Sequence, residues 1–269
     1  MTALLASPLG LLIGVALGAL GGGGSVLAVP VLVYVAGQSP QAAITTSLLV
    51  VGVTAIGGLA SRRRTGTVRV RAGALFGLAG VGGSVLGARL HLLLPPTVLL
   101  AAFATLMLVA AVMMLRRDPG AHAHPPTPGS TDGSGATAVR VERRRGTALR
   151  VLAAGTVVGL LTGLLGVGGG FVIVPALVLV LGFPMPPAVG TSLLVIAINA
   201  ATALTTQLAG GAHVDWPVAI PFTMAAAIGV VVGSRIARRV PAGRLQQAFA
   251  VLLIVVALFV GADAVGVTG

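Results

Sequence analysis

The chain is predicted to be an all-α polytopic membrane protein made of two inverted repeats, each a re-entrant helical hairpin with a Gly-rich tip plus three transmembrane helices. Three observations lead there. Of its 269 residues, 56% are hydrophobic and 8% charged, with a mean hydropathy of +1.07, whereas an ordinary soluble domain carries about 25% charge. Two glycine clusters, Gly21-Gly22-Gly23-Gly24-Ser25 and Gly166-Val167-Gly168-Gly169-Gly170, each separate two apolar runs too short to cross a bilayer. The second half of the chain also repeats the first at a nearly constant offset.

The runs flanking the clusters are residues 9–20 and 26–36, then 151–165 and 171–182. A helix rises ~1.5 Å per residue and a hydrocarbon core of ~30 Å takes ~20 residues, so each run is expected to end near the midplane. Glycine in a helix interior costs ~1 kcal/mol against alanine, so the helices should break at the clusters. Bare backbone at that depth survives only inside protein or along a water-lined cavity. The two tips are therefore the candidate binding site.

The first repeat, 1–115, is read as the broken unit 9–36 followed by spans at 41–61, 72–92 and 97–115. Pro40 suits a helix entry, Arg62 to Arg71 form a basic turn, and Pro95-Pro96 mark the last turn. Residues 116–150 are rich in Pro, Gly, Ser and Thr and end in a basic run, so they read as a linker without a core. The second repeat, 151–269, holds the unit 151–182 and spans at 187–209, 216–236 and 244–262. Residues 1–20 lack a basic n-region and the apolar pattern continues beyond the glycines, so they are expected to be a mature segment rather than a signal peptide.

At an offset of 145, Gly10, Gly14, Gly18, Gly21, Gly23, Gly24 and Pro30 fall on Gly155, Gly159, Gly163, Gly166, Gly168, Gly169 and Pro175. The pentapeptide TSLLV at 46–50 recurs unchanged at 191–195. One residue of slippage then pairs Gly83, Gly87, Arg89 and Pro95 with Gly229, Gly233, Arg235 and Pro241. Shared glycines alone arise by chance in such a composition. The shared pentapeptide and prolines do not.

Arginine sets the orientation. All 17 basic residues are Arg, against five acids, for a net charge of +12. Sixteen of them fall in 62–71, 116–150 and 235–244, and only Arg89 lies elsewhere. The positive-inside rule puts those three segments in the cytoplasm. The 210–215 loop, which has no Arg, is then outside, and both termini come out on the outer side. Each glycine unit must enter and leave on one side, so each half crosses an odd number of times and the halves are inverted. Two opposed hairpins meeting near the midplane is a transporter plan.

The segments GALGGGGSVLAVPVLV with TTSLLVV, and GLLGVGGGFVIVPALV with GTSLLVI, carry a glycine tip, a following proline and a Thr-Ser pair sixteen residues beyond it. In this pattern, over nearly the whole chain outside the linker, the sequence resembles the TauE/SafE sulfite exporter family (TSUP), bacterial permeases for small sulfur-containing and organic anions. The resemblance implies a secondary transporter of the cell (inner) membrane with no nucleotide site. It leaves the particular anion open.

The candidate substrate-binding residues are Gly22, Gly23, Gly24 and Ser25 at the first tip and Gly168, Gly169 and Gly170 at the second. A helix beginning just after a glycine turn aims its free N–H groups and positive dipole end at the tip, and two such ends would cradle an oxyanion. Ser25 is expected to cap the helix that follows and to donate its hydroxyl. Thr46, Ser47, Thr191 and Ser192 sit about two turns into their spans, where a hydroxyl reaches either a substrate or the carbonyl one turn back. Asn199, an amide near mid-span, needs a partner and is a further ligand candidate; Gln207, nearer the rim, is expected to pair with another helix. Arg89 and Arg235 are counterparts that either attract anions at the two vestibules or snorkel to headgroups. By contrast, Gly10, Gly14 and Gly18, one turn apart, read as a helix-packing face.

Several chemistries are excluded. Without cysteine there is no disulfide, thiolate or Cys-ligated metal, and without lysine no Walker motif. His122 and His124 in the linker are weak metal evidence, and no metal or other cofactor is expected. The acids Asp118, Asp132, Glu142, Asp215 and Asp263 lie in loops or near span ends, leaving no carboxylate to repel an anion at mid-membrane. The basic charge is explained by orientation in the lipid bilayer, so no nucleic-acid partner is expected; a homodimer is compatible with the sequence. The expected function is alternating-access transport of a small anion. A passive anion channel with the tips as its filter is the alternative, and an intramembrane enzyme lacks both acid pair and in-span His.

Overall fold

The computed structural model describes residues 2–63, 66–91, 95–116, 136–165 and 170–264, which are helices and the turns between them, with no strand among them. In chain order the helices are α1 (Thr2–Leu20), α2 (Gly23–Tyr34), α3 (Pro40–Arg63), α4 (Val70–His91), α5 (Pro96–Arg116), α6 (Ala136–Leu165), α7 (Gly170–Pro175), α8 (Met185–Ala209), α9 (Trp216–Arg239) and α10 (Ala242–Ala264). A π-helical stretch, Ala176–Val180, continues α7.

Five helical segments are long and apolar enough to cross a membrane: Gln41–Arg62, Val70–Gly87, Met185–Ala209, Trp216–Arg239 and Ala242–Gly261. The described apolar part of α5, Ala101–Arg116, is shorter. Side chains such as Leu78, Met224, Val255 and Leu258 stand exposed on these helices, which suits a surface solvated by lipid.

Two helices start earlier than the apolar runs. The first, α1, passes through Pro8 and has 19 residues, about 28 Å at 1.5 Å per residue, rather than the run of 9–20. A proline removes one backbone hydrogen bond, and the apolar residues on either side carry the helix past it. The other, α6, begins at Ala136, inside the stretch read as linker. Its opening is rich in Arg and Ala, good helix formers, and the Pro- and Gly-rich composition ends at Gly135. Residues 117–135, with His122 and His124, lie outside the described residues.

The arginine-rich turn is also shorter than expected. Arg62 belongs to the last turn of α3, is buried, and its Nη2 donates a hydrogen bond to the Gly18 carbonyl of α1 at 2.8 Å.

The most extensive contacts run crosswise, α1 along α9 and α4 along α6. Glycines set both pairs. A Cβ added at Gly14 or Gly18 would lie 2.1 or 2.3 Å from the carbonyl oxygens of Ala226 and Val230. One added at Gly159 or Gly163 would lie 2.0 or 2.1 Å from those of Gly80 and Ser84. From the other side, Gly229 and Gly233 abut Leu11 and Val15, as Gly83 and Gly87 abut Thr156 and Leu160. Small residues let backbones approach closely where apolar lipid gives helices little hydrophobic reason to associate. The packing face read at Gly14 and Gly18 is present, and each of its contacts recurs in the other pair at the repeat offset.

Contact order along the helices gives their directions. Gly10, Gly14 and Gly18 meet Phe222, Ala226 and Val230 in turn, so α1 runs parallel to α9. By the same reasoning α4 is parallel to α6 and to α8. Gly52 lies by Ala200 and Gly58 by Leu193, so α3 and α8 are antiparallel. Gly261 lies by Ala104 while Gln246 bonds the Met114 carbonyl, so α5 and α10 are antiparallel too.

Turns repeat as well. Ala36 N–H bonds Val31 O, and Gln38 N–H bonds Leu32 O; Leu181 bonds Ala176 and Phe183 bonds Leu177 in the same pattern. Each widened turn is followed by a left-handed glycine, Gly37 at φ +68° and Gly182 at φ +69°, a conformation that costs glycine little.

Candidate functional site

The break between α1 and α2 is confined to Gly21 and Gly22. Gly21 N–H closes the last turn of α1 on Leu17 O at 2.8 Å, and its φ of +80° then turns the chain. The next helix, α2, doubles back, so that a Cβ on Gly24 would lie 2.4 Å from Ile13 O and 2.8 Å from Leu17 Cβ. Since α2 begins at Gly23, Ser25 is its third residue and not its cap. Its hydroxyl donates to the Gly22 carbonyl at 2.8 Å, and Gly22, the N-cap residue, has no side chain to bond the first turn. The expected serine cap is thus absent because the helix starts within the glycine cluster.

The two tips touch. A Cβ on Gly22 would lie 2.0 Å from the Gly170 carbonyl oxygen, and one on Gly170 would lie 2.3 Å from Ser25 Oγ. From α8, the Ser192 hydroxyl shares its proton between Val189 O (2.9 Å) and Gly21 O (3.2 Å) and so ties that helix to the first tip. Gly168 and Gly169 lie outside the described residues.

Beside the tips lies a cavity of about 450 Å³. Its walls come from α2, α3, α4, α6 and α8; Ser25, Ser47 and Asn199 are among its polar lining residues, and Thr206 and Gln207 line it near the C-terminal end of α8. From Asn199 to Gln207 the wall climbs eight residues, about 12 Å. The volume is within the usual ligand-pocket range of about 300–1,000 Å³. No lining side chain is charged.

The predicted residues divide. Ser25, Ser47 and Asn199 line the cavity. Gly22 and Gly24 instead face Gly170 and α1. Thr191 is fully buried, and its Oγ1 accepts the Arg69 backbone N–H at 3.1 Å. Thr46 is also fully buried, and its Oγ1 has no partner among the described residues. Arg89 and Arg235 are exposed and outside the cavity wall, although Arg89 stands one helical turn beyond the lining residue Val85. Gln207, expected to pair with another helix, is exposed on the wall near its rim.

Hydroxyls on the wall point back to their own helices: Ser47 to Ile44 O, Ser84 to Val81 O, Thr162 to Val158 O and Thr202 to Ile198 O. In that state each offers lone pairs, and it must rotate to donate to an anion. Asn199 differs. Its Oδ1 is buried without a partner, so its amide is free to turn Nδ2–H₂ into the cavity. The sequence reading missed Ser84, Thr162, Thr202 and Thr206. For the last two a signal existed: residues 199, 202, 203 and 206 follow the i, i+3, i+4, i+7 spacing of one helix face.

No metal-binding group of three or more His, Asp or Glu occurs among the described residues. Comparison with known proteins identifies the family. A family model for the sulfite exporter TauE/SafE matches residues 6–260. A probable membrane transporter protein of Xylella fastidiosa (strain Temecula1 / ATCC 700964) is 36% identical over 258 residues, 93% of this chain and 91% of its own length. The probable membrane transporter protein YunE of Bacillus subtilis (strain 168) is 27% identical over 258 residues, 92% of this chain and 93% of its own length. No solved structure matches the chain significantly. With a family match spanning almost all of it, the chain belongs to the TauE/SafE sulfite exporter family and is a membrane transporter.

Proposed function

We propose that this transporter carries a small sulfur-containing or organic anion, sulfite-like in size and charge, across the cell membrane by alternating access, with the anion held beside the meeting tips. The observation that carries the reading is the cavity beside the tips, a mostly apolar space without a charged side chain on whose wall Ser25, Ser47 and Asn199 place polar groups. Two helix N-termini near the tips contribute roughly half a positive charge each, and hydroxyl and amide donors complete a neutral oxyanion site. The family's printed description, a sulfite exporter, agrees with such a ligand.

The halves are proposed to be inverted repeats with re-entrant hairpins. The antiparallel pairs α3 with α8 and α5 with α10, and the crosswise parallel pairs, support inversion, because each helix then runs opposite to its counterpart. The doubling back of α2 on α1 supports re-entry. The arginine-bearing end is assigned to the cytoplasm and both termini to the outside.

A channel using the same tips would need a continuous path. Thr162, Leu48 and Ser84 line the cavity, whereas their repeat counterparts Leu17, Leu193 and Val230 are at most 1% exposed. One half-pathway open and its counterpart packed is the signature of a carrier stopped in one conformation, and it weighs against the channel.

Calorimetric titration of the purified protein with sulfite, thiosulfate, sulfoacetate and short carboxylates is expected to give at least one saturable ligand. Asn199→Leu should weaken that ligand roughly tenfold or more, the scale of losing one hydrogen bond to a charged group. Competition by cations alone, or unchanged affinity in Asn199→Leu, would refute the site.

A further inference from the structure

We propose that Arg62 is the anion receptor of the closed half-pathway, held in this conformation as a latch on the Gly18 carbonyl. The inference rests on the alternating-access reading above. At the repeat offset of 145, Arg62 corresponds to Gln207, on the cavity wall near its rim, and Gly18 corresponds to Gly163, which also lines the cavity. The guanidinium therefore reaches into the space that is empty in the other half.

Its surroundings fit a shut gate. Gly58, the counterpart of the lining residue Ala203, would place an added Cβ 3.0 Å from Leu193 Cδ1 and 3.1 Å from Val230 Cγ1, so apolar side chains close over the route just inside Arg62. Arg62 itself is only 5% exposed, with Nη2 2.8 Å from Gly18 O. A carbonyl is a neutral acceptor. An oxyanion adds ion-pair attraction and can accept two parallel N–H bonds from the guanidinium where the carbonyl accepts one, so an arriving anion displaces Gly18 O and frees the end of α1.

The consequence is a difference between the two mouths. The open one presents a neutral amide, Gln207, and the closed one a permanent cation, Arg62. Anions are drawn in from the arginine end, even when dilute, and are released at the other, where Arg89 is exposed and stands outside the cavity wall instead of being buried on the route.

The chain has no cysteine, so a thiol introduced by Leu17→Cys reports opening of the closed half. In proteoliposomes without added anion, a membrane-impermeant maleimide should modify that thiol roughly tenfold faster when Arg62→Gln removes the latch. In oriented vesicles, half-saturation for radiolabelled sulfite presented at the arginine end should rise roughly tenfold in Arg62→Gln. Arg62→Lys should recover most of that loss, and sulfite presented at the other end should be unaffected. If Arg62→Gln fails to fold, Arg62→Lys, which keeps the charge but is too short to place an N–H where Nη2 meets Gly18 O, is read in the same maleimide assay and should still speed labelling. Labelling that stays slow in both variants overturns the latch. Faster labelling with unchanged half-saturation overturns the receptor role. A parent protein that moves no sulfite refutes the transport reading instead, and the anion-free labelling rate still decides the latch.

Discussion

Gly14 and Gly57 are both helical glycines in apolar sequence, yet a methyl group would have opposite effects on them. At Gly14 it meets the Ala226 carbonyl at 2.1 Å; at Gly57 it meets nothing within 4 Å. Gly14→Ala must therefore push α1 and α9 apart, an overpacking that typically costs about 1–3 kcal/mol. Gly57→Ala removes only the helix penalty of glycine, ~1 kcal/mol. Thermal unfolding in detergent should show a lowered midpoint for the first and an equal or raised one for the second. Equal shifts would contradict the close packing. The same geometry changes what a tip substitution means: Gly24→Val would strike Ile13 and Leu17 before any ligand, so lost binding there would report hairpin packing. Asn199 is the cleaner probe of the site because its Oδ1 engages no other described group.

The pentapeptide TSLLV occurs in α3 and in α8, and the two copies have different tasks. Ser47 lines the cavity, whereas Ser192 is fully buried with its hydroxyl on the first tip. A thiol introduced by Ser47→Cys should react with a small polar reagent roughly tenfold faster than one introduced by Ser192→Cys, since access governs thiol reactivity. Equal rates would mean that the two half-pathways are equally open. Helix positions at this scale were legible in the sequence: the stretches 41–61, 72–92, 97–115, 187–209, 216–236 and 244–262 fall on α3, α4, α5, α8, α9 and α10 with ends that differ by at most three residues, and all but α5 hold a segment long and apolar enough to span. The starts of α1 and α6 were not, because Pro8 and the linker composition are stop signals that a continuing helix overrode. Helix pairing was also hidden. Periodic glycines mark a face that packs closely but do not name its partner, so nothing in Gly14 and Gly18 pointed to α9 rather than α3. Arg62 was hidden for a related reason, since a basic cluster after a span looks the same whether its first residue is solvated or turned inward.

At the scale of the molecule, the helix directions collect Arg62, Arg69, Arg71, Arg116, Arg150, Arg235, Arg238, Arg239 and Arg244 at one end of the bundle and leave Arg89 near the other. The orientation drawn from the positive-inside rule makes that end cytoplasmic. His213 and Arg244 are both exposed and lie before and after α9. Single thiols introduced by His213→Cys and Arg244→Cys in intact cells should therefore react with impermeant reagents from outside and from inside, respectively. Labelling of both from one side would dismantle the inverted arrangement.

The crosswise glycine pairs also impose an order of events on synthesis. α4 finds its partner α6 as soon as the middle of the chain has emerged, but α1 must wait for α9, more than two hundred residues later. Until then the first helix made has its narrow glycine face open to lipid or to any other small-faced helix, and contacts so distant in sequence close slowly. The last third of the chain thus acts as a chaperone for the first helix, completing a fold that the ribosome began in the wrong order.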